Sequence, residues 1–143
     1  MSAADRVAVH DLLVGYFDGF DQRRSDDAFL RETFTADAHW RFPRGDATGI
    51  EEIMERRDGT LGLWKRTLHS VSSVLIELDG DRARFTATLL ATHIHRDDDP
   101  GAPLHIGGRL TGEAARSDAA WRLRRLGLDL VWTDGDPPER DFA

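Results

Sequence analysis

Six histidines and one carboxylate hold much of the chemistry open to this chain. His10, His39, His69, His93, His95 and His105 ordinarily titrate near neutral pH, where a side chain can take up a proton and return it. His93 continues the alternation Ala83, Phe85, Ala87, Leu89, Ala91, so it points to the interior of its strand. His95 shares that parity at the strand end. The ordinary role of a buried histidine is a core residue bonded to a carbonyl. The His93-x-His95 spacing also places two imidazoles on one face, as a metal pair would need. The residues that follow, Arg96 and Asp97–Asp99, form a turn and supply no further ligand in register, so neither a metal nor a cofactor is expected. Asp21 follows the aromatic cluster Tyr16, Phe17, Phe20 at the end of a helical pattern. A carboxylate half-buried there needs a donor partner. A histidine would serve, and the acid would then fix the tautomer of the base.

Those residues must be positioned by one domain, since 143 residues is a single-domain length. Apolar residues make up 40% and charged residues 31%, an ordinary globular balance. With no cysteine, thiol nucleophiles, disulfides and iron–sulfur clusters are excluded. The net charge of −7, with arginines scattered among acids, argues against nucleic-acid binding. No apolar run is long enough to span a membrane, and the start lacks a basic-then-apolar leader, so a cytoplasmic location is expected. No phosphate-cradling glycine loop or nucleophile elbow is present.

The N-terminal third reads as helical. Val7, Leu12, Leu13, Tyr16, Phe17 and Phe20 recur at helical spacing from about Ala3 to Phe20. Ser25 is placed to cap a short helix through Phe29, Leu30 and Phe34. Ala38–Phe42 reads as a short strand, and Ile50 to about Arg57 as a third helix. The remainder reads as strands: Thr67–Leu78, Arg82–His95, Leu104–Arg116 and Ala120–Trp132, with turns at Asp79-Gly80-Asp81, 97–103 and Ser117-Asp118. From Thr133 onward a loose tail is expected. Helices first and a long antiparallel meander after them indicate the α+β class.

Four segments together carry a resemblance: Gly19-Phe20-Asp21, Phe34-Thr35-Ala36-Asp37-Ala38-His39-Trp40, Thr67-Leu68-His69 and Trp121-Arg122-Leu123. With the element order, they resemble the SnoaL-like branch of the nuclear transport factor 2-like superfamily, which includes scytalone dehydratase and hexachlorocyclohexane dehydrochlorinase. The resemblance runs from about Asp5 to Trp132. It implies an Asp–His dyad at Asp21 and His69 and a second pocket histidine at His93. It puts Trp40 and Phe20 where the dehydratase has tyrosines, and Gly108 and Leu110 near its polar Ser/Asn pair. Arg124 or Arg125 would stand for the dehydrochlorinase's pocket cations. The polyketide cyclases of the branch use an aspartate on the last strands, for which Asp129 is a loose match and a surface acid the simpler reading.

The expected fold is one domain over residues 1–143: a cone-shaped α+β barrel, with a curved, mostly antiparallel sheet wrapped on N-terminal helices around a pocket. Leu13, Tyr16, Phe17, Phe20 and Trp40 are expected to line it, with Leu61, Trp64, Phe85 and Leu89. Such a lining suits a small apolar or aromatic molecule, and the resemblance implies a polyketide-like one. The resemblance implies a cofactor-free lyase or isomerase of dehydratase, cyclase or dehydrohalogenase type. His69 would act as base, Asp21 as its orienter, and His93 would hydrogen-bond the carbonyl or leaving group. The alternative is a non-catalytic binding or dimerisation module of the same fold. A homodimer or homotrimer through the open sheet face is expected, and apolar residues on both faces of Leu123–Trp132 agree with a covered sheet.

Overall fold

The computed structural model describes residues 2–139. Helix α1 (Ala3–Asp21) starts at Ser2, whose hydroxyl accepts the Asp5 N–H. It buries Val9, Leu13, Tyr16, Phe17 and Phe20 along one stripe, while Val7 lies outside the stripe and is exposed. Helix α2 (Asp27–Thr33) is capped by Asp26, which accepts from the Phe29 N–H. Ser25, the expected cap, instead donates its hydroxyl to Asp58. Phe34, expected in the helix, opens β1 (Phe34–Phe42). A short strand the pattern did not announce, β2 (Gly45–Thr48), returns along β1.

Helix α3 (Ile50–Leu61) runs a turn past the expected end at Arg57, because Gly59 does not interrupt it. Four long strands follow: β3 (Trp64–Asp79), β4 (Arg82–His95), β5 (Leu104–Ser117) and β6 (Ala120–Asp134). They pair as an antiparallel meander. Strand β1 joins β6 in parallel, giving the order β2-β1-β6-β5-β4-β3 in one curved, unclosed sheet. Breaks in register at Ser72/Leu75 on β3 and at Gly107/Gly108 between β5 and β6 mark irregularities that add bend to the sheet. The Ser117–Ala120 turn holds both Asp118 and Ala119 at positive φ, as a tight right-twisting hairpin requires.

The core lies between the helices and one face of this sheet. On β4, Ala83, Phe85, Ala87, Leu89, Ala91, His93 and His95 are buried in strict alternation. Helix α1 is tied to the far strands by Asp5, which accepts from Arg116 at 2.7 Å and from the Trp121 indole at 3.1 Å. The expected loose tail begins later than Thr133. Thr133 and Asp134 close β6, and the Asp136 carboxylate accepts from the Ala102 N–H at 2.8 Å. The end of that expected tail, 140–143, lies outside the described residues. Among the described residues no helix is long and apolar enough to cross a membrane.

Two glycines inside α1 make the packing testable. A Cβ on Gly19 would lie 2.2 Å from the Phe29 ring, so this glycine lets α2 approach α1. A Cβ on Gly15 meets nothing within 4 Å. Gly15→Ala should stabilise the fold by up to about 1 kcal/mol through helix propensity. Gly19→Ala should destabilise it by about 1–3 kcal/mol through overpacking, despite the same propensity gain. Urea unfolding of the two variants checks the opposite signs.

Candidate active site

Helix α1 ends at Asp21, and the start of β3 passes beside it. The Asp21 carboxylate accepts three hydrogen bonds from that strand. The Thr67 hydroxyl and the His69 backbone N–H each donate at 2.8 Å, and His69 Nδ1 donates at 2.6 Å. A carboxylate only accepts, so Nδ1 carries the hydrogen and Nε2 carries a lone pair. Burial pushes the Asp21 carboxyl up, but the His69 and Thr67 hydrogen bonds and the facing imidazole outweigh it and hold the carboxyl below its ordinary value.

The His69 ring lies between Phe17 and Phe20, each with a centroid distance of 5.3 Å, and its own exposure is 8%. It lines a cavity of about 440 Å³ at the end of the cone. Tyr16, Phe17 and Phe20 of α1 form one wall, and Trp40 stacks on Phe42 at 4.3 Å in another. Trp64, Leu89, Leu104, Ile106 and Leu128 complete an apolar lining. Phe85 sits on the same face as Leu89 but four residues farther up β4, where it packs under Gly112 and does not reach the cavity. Leu13 and Leu61 are buried away from the lining.

His93 faces the same cavity, its ring 5.6 Å from His69. Its Nδ1 donates to the Leu104 carbonyl at 3.1 Å. Burial, with the neighbouring His69 and Arg44, holds its pKa down to about 4 against the upward pull of that carbonyl. His93 is therefore neutral near pH 7 and presents an acceptor at Nε2. Of the two roles expected for it, this tautomer fits the contact to a leaving group, since Nε2 can accept from a hydroxyl or N–H of a ligand but does not donate to a carbonyl oxygen.

His95 shares the buried face, as its spacing predicts, but donates Nε2–H to the Asp136 carbonyl at 2.9 Å. The two imidazoles thus serve different backbone carbonyls, and among the described residues no group of three or more His, Cys, Asp or Glu is arranged to hold a metal. His10 and His39 lie off the cavity, and His105 contacts Thr92 at 3.0 Å on the outer sheet face. Arg124 and Arg125 turn to Glu113, and Asp129 is an exposed partner of Arg41 at 3.7 Å.

The cation that does line the cavity is Arg44, in the turn after β1. Sequence reasoning missed it, although Trp40, Phe42 and Arg44 share one parity and the first two are apolar. Thr60 of α3 and the segment Thr133, Gly135, Pro137 were missed as well. Nothing local marks them, because they reach the cavity only through the sheet's curvature.

A family model for the SnoaL-like domain matches residues 1–127. The chain belongs to the SnoaL-like family. Its structural neighbours carry the nuclear transport factor 2-like fold. This SnoaL-like chain superposes on a Kribbella flavida protein with TM-score 0.84 and 22% identity over 92% of this chain and 93% of the other. A scytalone dehydratase-like protein of Novosphingobium aromaticivorans gives 0.81 and 19% over 92% and 87%. A hexachlorocyclohexane dehydrochlorinase, LinA-type3, of Novosphingobium barchaimii gives 0.81 and 20% over 92% and 90%. No curated protein matches the chain.

The buried His93 makes the stability of this SnoaL-like domain depend on pH. Unfolded, the imidazole titrates near 6.5; folded, near 4. Between those values the unfolded chain binds more protons, so stability is full above the window and falls as pH drops through it. The loss should reach at most about 3 kcal/mol. His93→Gln should flatten the profile between pH 6.5 and 4, read by urea unfolding across that range.

Proposed function

We propose that this protein is a cofactor-free lyase or isomerase acting by proton abstraction from a small apolar or aromatic molecule. The observation that carries the reading is the 2.6 Å contact between Asp21 and His69 Nδ1, which leaves the opposite ring nitrogen on the wall of an apolar cavity. His69 Nε2 takes a proton from carbon. Asp21 holds the tautomer and stabilises the imidazolium that forms. Its lowered pKa keeps it anionic for that task throughout the neutral range. His93 receives a ligand hydroxyl or N–H at its free nitrogen. The relatives named as dehydratase-like and dehydrochlorinase share the fold, and both names denote eliminations, in which a proton is lost from carbon.

Elimination, ring closure and double-bond migration share that first step. A test therefore needs no product: the protein is incubated in D2O with a panel of small ketones and alicyclic halides, and exchange or loss of the activated C–H is followed by mass spectrometry. His69→Ala and Asp21→Asn should each lower the rate by about 10²–10⁴-fold. A His69→Ala variant as fast as wild type would sink the base assignment. Ligand binding without exchange would favour the binding-module reading.

We also propose a homo-oligomer built on the outer sheet face, as a dimer or trimer. Leu68 and Leu75 of β3, Leu90 and Ile94 of β4 and Trp132 of β6 are exposed there, and Leu68 is 70% accessible. On β4 these apolar side chains alternate with buried ones and on β3 with half-buried ones, so a second copy is the partner that would cover them. Light scattering at micromolar concentration should give a multiple of 16.1 kDa, and a strictly monomeric mass refutes the assembly.

A further inference from the structure

Among the described residues, the wall of the cavity carries one side chain with a permanent charge, and that charge is positive: Arg44. No aspartate or glutamate lies on that wall, in a chain with 26 acids against 19 bases. Asp21 stands behind His69 and is committed to its three donors. The cavity is thus positive inside a protein whose net charge is −7. The field reaches His93: after burial and alongside His69, Arg44 is one of the groups that hold its pKa down to about 4.

The backbone holds Arg44 in that position. Pro43 and Arg44 are the two residues between β1 and β2, and the Phe42–Gly45 pair closes the turn around them. The proline ring fixes its own φ, and Gly45 takes a φ of 146°, which a side chain would resist. On the same parity, Trp40 and Phe42 stack at 4.3 Å and lead along the wall to Arg44. Arg44 is half-buried, whereas His69 and His93 are 8% and 7% exposed, so the cation lies nearer the mouth and the imidazoles deeper. A planar guanidinium at the end of an aromatic wall fits a carboxylate carried on a ring: the fork takes the two oxygens while the ring lies against the wall.

We propose that Arg44 binds the carboxylate of the substrate, and that the ligand of this cavity is a small aromatic or alicyclic acid. The inference deepens the proton-abstraction reading and rests on it for what happens at the other end of the molecule. With the acid group at Arg44 near the mouth, the body of the ligand extends inward and its activated C–H meets His69 Nε2. The acid group and the reacting carbon are therefore separate, at opposite ends of the ligand. A neutral halocarbon offers Arg44 no acceptor while excluding water from it, which costs affinity. Arg44 is thus a specificity-determining residue that selects and orients, and it takes no part in the proton transfer.

The probes are 2-naphthoate and its neutral isostere 2-naphthamide, titrated calorimetrically into the protein at pH 7.5. The wild-type protein should bind the acid at least ~10-fold more tightly than the amide, the lower end for a hydrogen-bonded charge pair. Arg44→Gln should weaken naphthoate by about 10–100-fold and leave naphthamide nearly unchanged. Arg44→Lys should keep part of the preference, since the charge remains and the fork is lost. Added salt should narrow the preference in the wild type, because the pair near the mouth is open to screening. In Arg44→Gln the His93 NMR titration should move up from about 4. His69→Ala should keep the preference for the acid, which separates recognition from the dyad. Failure of the base reading alone would appear as unchanged exchange in His69→Ala with these binding results intact. A wild-type protein that binds the amide as well as the acid, or binds neither, overturns the inference. So does an Arg44→Gln variant that keeps the preference or leaves the His93 titration unmoved.

Discussion

The carboxylate of Asp21 is in the wrong place for a helix and the right place for a site. It occupies the C-terminal end of α1, where the helix dipole repels negative charge, and no basic residue shares the last turn. It is also partly withdrawn from water. Both penalties are offset from one source: three donors presented by Thr67 and His69 over three residues of β3. Since all three land on one strand start, they fix the depth at which α1 crosses the sheet. The angle of His69 and the opening of the cavity beside it follow from the same contact.

That dependence explains which parts were legible before folding. Alternation on β4 put His93 inside, because a period of two is a local property of the chain. The helix stripe ending at Asp21 was equally local. The partnership with His69 was not: 48 residues separate the two, and only resemblance joined them. Phe85 shows the opposite error. Parity placed it on the right face, but a strand of 14 residues spans both the core and the cavity, and parity carries no height. Arg44, Thr60 and Pro137 come from three distant segments and converge only because the sheet curls.

Chain segments at the two ends of the cone also differ in how their polar groups are satisfied. At the closed end, Asp5 gathers Arg116 and Trp121 in bonds that serve packing. At the open end the site's side chains are left with unused capacity. His93 and His69 each present a free acceptor nitrogen to the cavity. Natural cores satisfy nearly all such groups. Their concentration around a single apolar cavity is the pattern of a site that completes its hydrogen bonding with a ligand.

The same inventory bears on which reaction follows proton removal. A hydroxide leaving group has to be protonated as it departs. His93 cannot supply that proton, since its Nδ1–H is committed to Leu104 and its pKa of about 4 leaves Nε2 bare. Burial raises the Tyr16 pKa, which disfavours its giving up a proton. Under the proposed mechanism, the acid left at the end of the first step is the His69 imidazolium, carrying the proton it has just removed. One nitrogen must then act on both ends of the substrate, from one face of the molecule. Returning the proton to a second carbon demands only a short slide of the carbanion past that nitrogen, whereas expelling water demands that the leaving oxygen lie on the same side as the abstracted hydrogen. Under the proposed mechanism, the arrangement around His69 therefore favours double-bond migration or a same-face elimination over an opposite-face loss of water.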